Sequence, residues 1–297
     1  MNIYESFSQK DFVNTKSETA CLGAFDGVHL GHQKLIEETQ KIDTNFQLIT
    51  FDIVPKKYFN SQHQIITNNK TKTKMISKYK PENLIYLNFN EFKNMEKNEF
   101  CNFLQKNCKI KKILIGKDFR FGKNRDGGIK DLENIFGNKN VIVLDDVFHN
   151  GIKVSSTKIK EFLANGLIEE ANELLGYKYN FDADVIEGQK LGSKIGFPTA
   201  NLNIQPSEII LKNGVYFVTV TFKDKQFKGA MNIGFKPTID TNSIKTIEVH
   251  ILDFDSNIYN QYLNVEVIKY LREEQKFDSV NDLTKQINLD IKQIKNY

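Results

Sequence analysis

Apolar and polar positions divide the chain into two textures. Through about residue 176, short apolar runs alternate with stretches where apolar side chains recur every three or four positions. The runs at 20–23, 47–51, 84–87, 112–116 and 141–144 predict strands, and the periodic stretches at 31–41, 72–79 and 96–106 predict helices. In the last of these, Phe100, Phe103 and Leu104 share a face. Such alternation predicts an α/β fold whose parallel sheet is covered on both sides and binds ligands beyond the carboxyl ends of its strands. Two further helices are expected, one following 154–160 and ending near Asn165 and Gly166, the other over 168–175 and closed by Gly176.

Beyond Tyr179 the periodicity changes to short alternating runs at 183–187, 215–222, 227–233, 246–252 and 263–268, separated by Gly, Asn and Asp. They predict an antiparallel β-barrel, followed by a polar amphipathic helix from Val280 to about Ile294. The change of texture falls at 178–182, giving domains 1–180 and 181–297 with no Pro- or Ser-rich linker and no internal repeat.

The loop after the first predicted strand carries the strongest chemistry. Gly23, Gly27 and Gly31 recur at four-residue spacing, and His29 and His32 lie one helical turn apart where a helix begins. Glycines let backbone approach a ligand, and the free N–H groups of a helix's first turn attract anions. Turn chemistry, helix capping and metal binding are the competing readings of the same residues. The dinucleotide fingerprint Gly-x-Gly-x-x-Gly is absent. The stretch Gly23-x-Phe25-Asp26-Gly27-x-His29-x-Gly31-His32 resembles the signature of nucleotidylyltransferases, in which the His-x-Gly-His element holds nucleoside triphosphate phosphates.

Three further stretches add candidates. Asp118, Phe119, Arg120 and Phe121 sit between Gly116 and Gly122, either as a hairpin with its aromatics in the core or as a ligand loop at the same sheet edge. Ser155, Ser156 and Thr157 precede Lys158 and Lys160; one hydroxyl suffices for an N-cap, and the whole cluster suits phosphate oxygens. In the second half, Gly192 and Lys194 precede Pro198, either as a plain loop between strands or as a phosphate-cradling flap, in which Thr199 and Asn201 offer hard oxygen ligands for Mg²⁺. On a strand over 246–251, Ile247, Val249 and Ile251 share one face and Glu248 and His250 the other, so Glu248 is either a solvated side chain or a general base.

Composition narrows the field of partners. The 297 residues suffice for two domains, and 41 basic against 37 acidic residues leave a formal charge of +4, too little to argue for nucleic acid. The lysines of 70–80 read as a solvated face. Residues 1–11 are polar, without the apolar core of a signal peptide or anchor, and no apolar run reaches membrane-spanning length. Cys21, Cys101 and Cys108 fit neither a disulfide framework nor a short zinc spacing, so buried free thiols in a cytoplasmic protein are expected. Nothing in the pattern selects an oligomeric state.

Taken in order, the motifs resemble the bacterial bifunctional riboflavin kinase/FAD synthetase family over nearly the whole chain. The likeness rests on the opening motif, the 116–122 loop, Val154-Ser-Ser-Thr157, Gly196-Phe-Pro-Thr-Ala-Asn201, Gly214-Val-Tyr216, Asn232-Ile-Gly-x-x-Pro-Thr238, Glu248-x-His250 and Arg272-x-Glu-x-Lys-Phe277. It implies a Rossmann-like nucleotidylyltransferase domain and a riboflavin kinase-like barrel with a terminal helix. It also implies two reactions: ATP phosphorylates riboflavin to FMN, and FMN attacks a second ATP to give FAD and pyrophosphate. By resemblance, His29, His32, Ser156, Thr157 and Lys158 serve adenylylation, Asp118 contacts nucleotide or flavin, Glu248 is the kinase base, Thr199 and Asn201 hold Mg²⁺, and Arg272 lies on the flavin side in a loop. The chain departs from the family at Ile53 and Val54, where a histidine is usual, at Lys158 and Lys160, which replace arginines, and at Ser193, which replaces a basic residue between Lys190 and Lys194. Two rivals are a nucleotidylyltransferase for another phosphate ester and a flavin-binding regulatory protein with one inactive site.

Overall fold

The computed structural model describes residues 1–60, 63–188, 192, 195–204, 209–236 and 244–297, with only the backbone at 235, 236 and 244. Lys190, Ser193, Lys194, Pro237 and Thr238 lie outside the described residues. In chain order the elements of the first half are β1 (Asn2–Phe7), β2 (Thr19–Leu22), α1 (Leu30–Ile42), β3 (Gln47–Phe51), α2 (Pro55–Phe59), α3 (Asn69–Ile76) and β4 (Asn83–Leu87). They continue as α4 (Phe89–Phe92), α5 (Lys97–Lys106), β5 (Lys112–Gly116), α6 (Ile129–Phe136), β6 (Val141–Leu144) and a hairpin of β7 (Phe148–His149) and β8 (Ile152–Lys153). Then come α7 (Ser156–Ala164), α8 (Ile168–Leu175), β9 (Asn180–Ile186), β10 (Ala200–Asn203), β11 (Gly214–Phe222), β12 (Lys225–Lys236), β13 (Ile244–Ile251), β14 (Tyr262–Arg272) and α9 (Val280–Asn296). The chain folds as two compact units, one over Met1–Ser156 and the other over Thr157–Tyr297.

The first unit holds a six-stranded sheet in the order β1-β4-β3-β2-β5-β6, parallel throughout. Alternate residues of its strands enter opposite cores: Leu22, Ile49, Ile85, Ile113 and Ile115 pack on one face, and Cys21, Leu48, Leu84, Tyr86 and Leu114 on the other. Both faces are thus covered, as the alternating pattern predicts. Strand order reverses between β2 and β5, so the loops after those two strands, at 23–29 and 117–122, flank the switch point where such sheets bind ligands.

Several elements correct the sequence reading. The polar N-terminus forms β1, an edge strand with most residues solvated, which therefore needs no apolar alternation. The helix expected at 72–79 begins three residues earlier, capped by the Asn68 side chain on the Thr71 N–H, and ends in a short 3-10 turn. Lys72 is no part of a solvated face: it is 1% exposed and shares the buried side of α3 with Ile76. All three cysteines are buried free thiols, as expected, and burial pushes Cys21 and Cys108 up to about 12.

The second unit is a closed antiparallel barrel, β10-β13-β12-β11-β14-β9, one strand more than the pattern predicts. The extra strand, β10, has only four residues and follows the Gly-Phe-Pro turn, too short to register as an alternation. Met231, Ile233, Val249, Val265 and Val267 fill the interior. Helix α8 is fastened to the wall by Asn172, whose Nδ2 donates to the Val267 carbonyl at 3.0 Å and whose Oδ1 accepts the Tyr179 N–H at 2.7 Å. As predicted, α8 closes on Gly176 in the left-handed region.

Candidate functional site

The turn after β2 departs from ordinary backbone at three of four residues: Phe25 (φ 48°), Gly27 (φ 86°) and Val28 (φ 37°). A β-branched residue at positive φ is strained and persists only where its surroundings hold it. They do so here through a dense set of bonds. The Asp26 carboxylate, 3% exposed, accepts the N–H groups of Ile66 (2.7 Å) and Thr67 (3.4 Å), and the Gly27 N–H donates to Thr67 Oγ1 at 3.1 Å. Ser156 Oγ donates to the Asp26 carbonyl at 2.8 Å. The Ala24 carbonyl accepts both Thr50 Oγ1 (3.2 Å) and Lys72 Nζ (3.1 Å).

His29 and His32 stack, with ring centroids 3.7 Å apart and planes within 16°. His29 is the N-cap of α1: its Nδ1 accepts the His32 N–H at 3.4 Å, which leaves the proton of the neutral ring on Nε2. Capping and a paired ligand-facing role are thus compatible. A Cβ on Gly31 would sit 3.2 Å from the His29 ring, so glycine keeps this stack open. Phe25, fully buried, lies 5.1 Å from the His32 ring and backs it. Burial pushes the His29 imidazole down to about 4 against the pull of Asp26, and burial, then His29 and Lys72, hold His32 well below its ordinary value. Both rings are therefore neutral at physiological pH. His32 Nδ1 is buried and without a hydrogen-bond partner among the described residues. No group of three metal-ligating His, Cys, Asp or Glu side chains occurs there either.

The remaining candidates of the first 160 residues are more exposed. Asp118 pairs with Lys153 at 3.1 Å, Arg120 donates to the Phe119 carbonyl at 3.2 Å, and Phe119 stacks on the buried Phe121 with centroids 5.9 Å apart. The core reading therefore holds for Phe121 and in part for Phe119, while Asp118 and Arg120 are exposed. Thr157 is exposed in the first turn of α7, and Lys158 pairs with Glu161 at 2.8 Å. Where the family histidine is missing, Val54 and Pro55 begin α2, and the Asp52 carboxylate accepts the Phe89 N–H at 2.9 Å.

In the barrel, register aligns Asn232 on β12, Glu248 on β13 and Asn201 on β10 directly across from one another. Their neighbours Ile247 and Val249 point inward, so this polar row lies half-buried on the outer wall rather than in the lumen. Thr199 Oγ1 donates to Glu248 Oε2 at 3.2 Å, and His250 Nδ1 donates to the Pro198 carbonyl at 2.8 Å, tying the end of the Gly196-Phe-Pro turn to the carboxylate's strand. A Cβ on Gly188 would overlap the Asn201 carboxamide, and one on Gly192 would overlap the Phe197 carbonyl. A cavity of ≈ 140 Å³ opens beside Thr199, lined by Val185, Ala200, Ile251 and the 254–259 loop. Arg272 ends β14 rather than sitting in a loop, and its guanidinium grips Asp290 of α9 by three contacts of 2.8 to 3.1 Å.

Lys72, Thr50 and Asp290 are the residues that sequence reasoning missed. The helical spacing of Lys72 and Ile76 is the available signal for the first, since a residue four before a core isoleucine shares its face. Asp290 carries no such mark, because its partner is 18 residues away on another element.

A phosphate-loop sheet with paired imidazoles, followed in one chain by a barrel carrying a carboxylate among hard oxygen donors, defines a nucleotide-dependent transferase with two reaction centres. Two family patterns match, FAD synthetase over residues 12–158 and riboflavin kinase over residues 175–297. Proteins named bifunctional riboflavin kinase/FMN adenylyltransferase are similar along almost the whole length. That of Buchnera aphidicola subsp. Schizaphis graminum is 37% identical, covering 96% of this chain and 95% of its own. The Bacillus subtilis protein is 33% identical over 91% of this chain and 89% of its own. A crystal structure from Streptococcus pneumoniae, described as a macrolide-efflux protein, shares the fold over 100% of both chains with a TM-score of 0.91 and 29% identity. Among the described residues no helix of this chain is long and apolar enough to cross a membrane. The chain belongs to the bifunctional riboflavin kinase/FMN adenylyltransferase family.

Proposed function

We propose that the two activities of this enzyme, phosphorylation of riboflavin to FMN and adenylylation of FMN to FAD with ATP as co-substrate of both, use separate residue sets. Adenylylation is assigned to a domain over 1–180 and riboflavin phosphorylation to a domain over 181–297. One observation carries the reading: each motif set closes on itself, His29 on His32 by stacking and Thr199 on Glu248 by hydrogen bonding.

For adenylylation, an FMN phosphate oxygen attacks the α-phosphorus of ATP, a new P–O bond forms and pyrophosphate leaves. Neutral imidazoles suit this step, because His29 Nε2–H and a ring N–H of His32 donate to phosphate oxygens as charge shifts to the leaving group. Gly23, Gly27 and Gly31 admit the triphosphate close to backbone, and Ser156, with Thr157 and Lys158 after it, supplies hydroxyls and a cation for phosphate. Asp26 and Phe25 act from behind, the carboxylate by fixing the turn and the ring by backing His32. Asp118, Phe119 and Arg120 are assigned to nucleotide or flavin contact. No covalent enzyme intermediate is involved; positioning and fixed dipoles provide the acceleration.

For the kinase step, Glu248 accepts the proton of the ribityl 5′-hydroxyl as that oxygen attacks the γ-phosphorus of ATP and ADP leaves. The Thr199 hydroxyl and the Asn201 carboxamide, at the end of the turn and on the strand that follows it, offer hard oxygens that fit Mg²⁺. These residues would hold Mg²⁺ where it would offset phosphate charge when bound. Gly192 and Lys194 are assigned to binding the ATP phosphates, and Arg272 to the flavin side. Cytoplasmic residence belongs to the same reading, supported by the three buried free thiols.

The test is a pair of time courses with ATP and Mg²⁺, one started from riboflavin and one from supplied FMN, with FMN and FAD followed in each. Glu248→Gln should lower FMN formation by roughly 10²- to 10⁴-fold while FMN still goes to FAD, and His29→Ala should do the reverse. Loss of both reactions in either folded variant refutes the division.

A further inference from the structure

Lys72 stands apart from the other lysines among the described residues. At 1% exposed it is a buried ammonium, yet among the described residues no carboxylate lies within ion-pair distance of it. Its hydrogen bond goes to the Ala24 carbonyl at 3.1 Å, and its Nζ lies 5.7 Å from the Tyr86 ring centroid. Asp26 and Asp52 act on it only at a distance, and it in turn acts on His32. A buried charge without a paired counterion destabilises the fold on its own account, since burial removes hydration that one carbonyl and a ring face do not replace. The fold thus keeps a costly group directly behind the strained turn of residues 24–28.

Resting on the assignment of that turn to ATP, we infer that Lys72 is a positioning residue for adenylylation, fixing the Ala24 carbonyl and lending its buried positive charge to the incoming triphosphate. The anion then supplies the compensation that the surrounding side chains do not. Screening inside the fold is weak, so the charge acts across a longer distance than a surface lysine would. Burial also pushes the amine down to about 8, which still leaves it mostly charged at neutral pH.

Two full-length variants separate charge from packing. Lys72→Met keeps the length of the side chain without charge or donor, and Lys72→Gln keeps a donor for Ala24 without charge. In both, KM for ATP in FAD formation should rise about tenfold or more, with a smaller change in kcat, as expected when a desolvated charge partner is lost. Riboflavin phosphorylation by the same preparations should stay within about twofold, and the Met variant should unfold at the same or a higher temperature. An unchanged KM for ATP in either folded variant overturns the inference. So does loss of both activities with a lowered unfolding temperature in both variants, which assigns Lys72 to the core alone. His29→Ala run alongside distinguishes the levels: if it leaves FAD formation intact, the site assignment falls, and if it abolishes FAD formation while Lys72→Met is silent, only the role of Lys72 falls.

Discussion

Acidification should destabilise this protein through its two stacked histidines. The ordinary imidazole value is 6.5, and burial lowers His29 to about 4 in the folded chain. Between those values the unfolded chain binds a proton that the native chain does not, so stability is greatest above about pH 6.5, falls as pH drops, and stops falling below about pH 4. Integrating the linkage for these two values gives a loss of about 2 kcal/mol between roughly pH 7.5 and pH 5 from His29 alone. His32 is shifted in the same direction, because it too is buried and faces His29 and Lys72, so it adds to the loss. Few other groups contribute over this interval, since carboxylates titrate lower and thiols higher. The assay is urea unfolding followed by circular dichroism across the interval, for the parent and for His29→Gln, which retains a polar side chain without the titration. The parent should lose its margin as the pH falls, and the variant should show a profile shallower by about 2 kcal/mol over the same range. Parallel profiles for the two proteins would refute the claim that His29 is buried and neutral.

Two other perturbations probe the barrel. Asp290 is 5% exposed and receives Arg272 through three contacts, with Gln286 Nε2 adding a fourth at 3.0 Å, so Asp290→Ala strands a guanidinium and should cost about 3–5 kcal/mol. In calorimetry the Asp290→Ala/Arg272→Met double variant should recover much of that loss, and a loss under about 1 kcal/mol for the single variant would show the pair to be superficial. Gly188→Ala should displace the short Asn201 side chain rather than backbone, raising the Mg²⁺ needed for half-maximal riboflavin phosphorylation without changing FAD formation; equal Mg²⁺ dependence of parent and variant would remove Asn201 from the metal set.

What can be read along the chain is what local periodicity encodes. Five strands of the parallel sheet and the covering helices α1 and α5 repeat their apolar pattern within one element, and they fold as that pattern says. Strand β1 is invisible in the sequence because an edge strand of Asn, Tyr, Glu and Ser can be solvated on most of its length. Strand β10 is invisible because four residues after a proline turn carry too few alternations, although its Thr-Ala-Asn stretch stands out for its chemistry. Glu248 is legible as a choice between two faces, and register settles which residues flank it: Asn232 and Asn201, neither of which its own strand contains. Lys72 is hidden for a related reason. A lysine run has one composition whether its members face water or a neighbouring sheet, and only the docking of α3 decides which single side chain is enclosed.

That enclosure makes the His-x-Gly-His turn chemically different from a surface anion site. Ordinary helix N-termini offer their N–H groups to water, so binding an anion there exchanges one polar environment for another. Here the fold itself combines a β-branched residue at φ 37°, two imidazoles kept neutral by burial, and an ammonium with, among the described residues, a carbonyl and a ring face for company. Each is unfavourable alone, and under the proposed assignment of this turn to ATP an incoming triphosphate supplies a counter-charge for the ammonium and acceptors for the imidazole N–H groups. Part of the work of aligning dipoles against developing charge is therefore done during folding, before ATP arrives, which is the condition under which fixed dipoles accelerate a displacement rather than merely bind its substrate. The fastening bonds from Thr50, Thr67 and Ser156 follow from the same requirement: a turn with so little intrinsic preference for its own shape must be held by residues drawn from three other places in the chain.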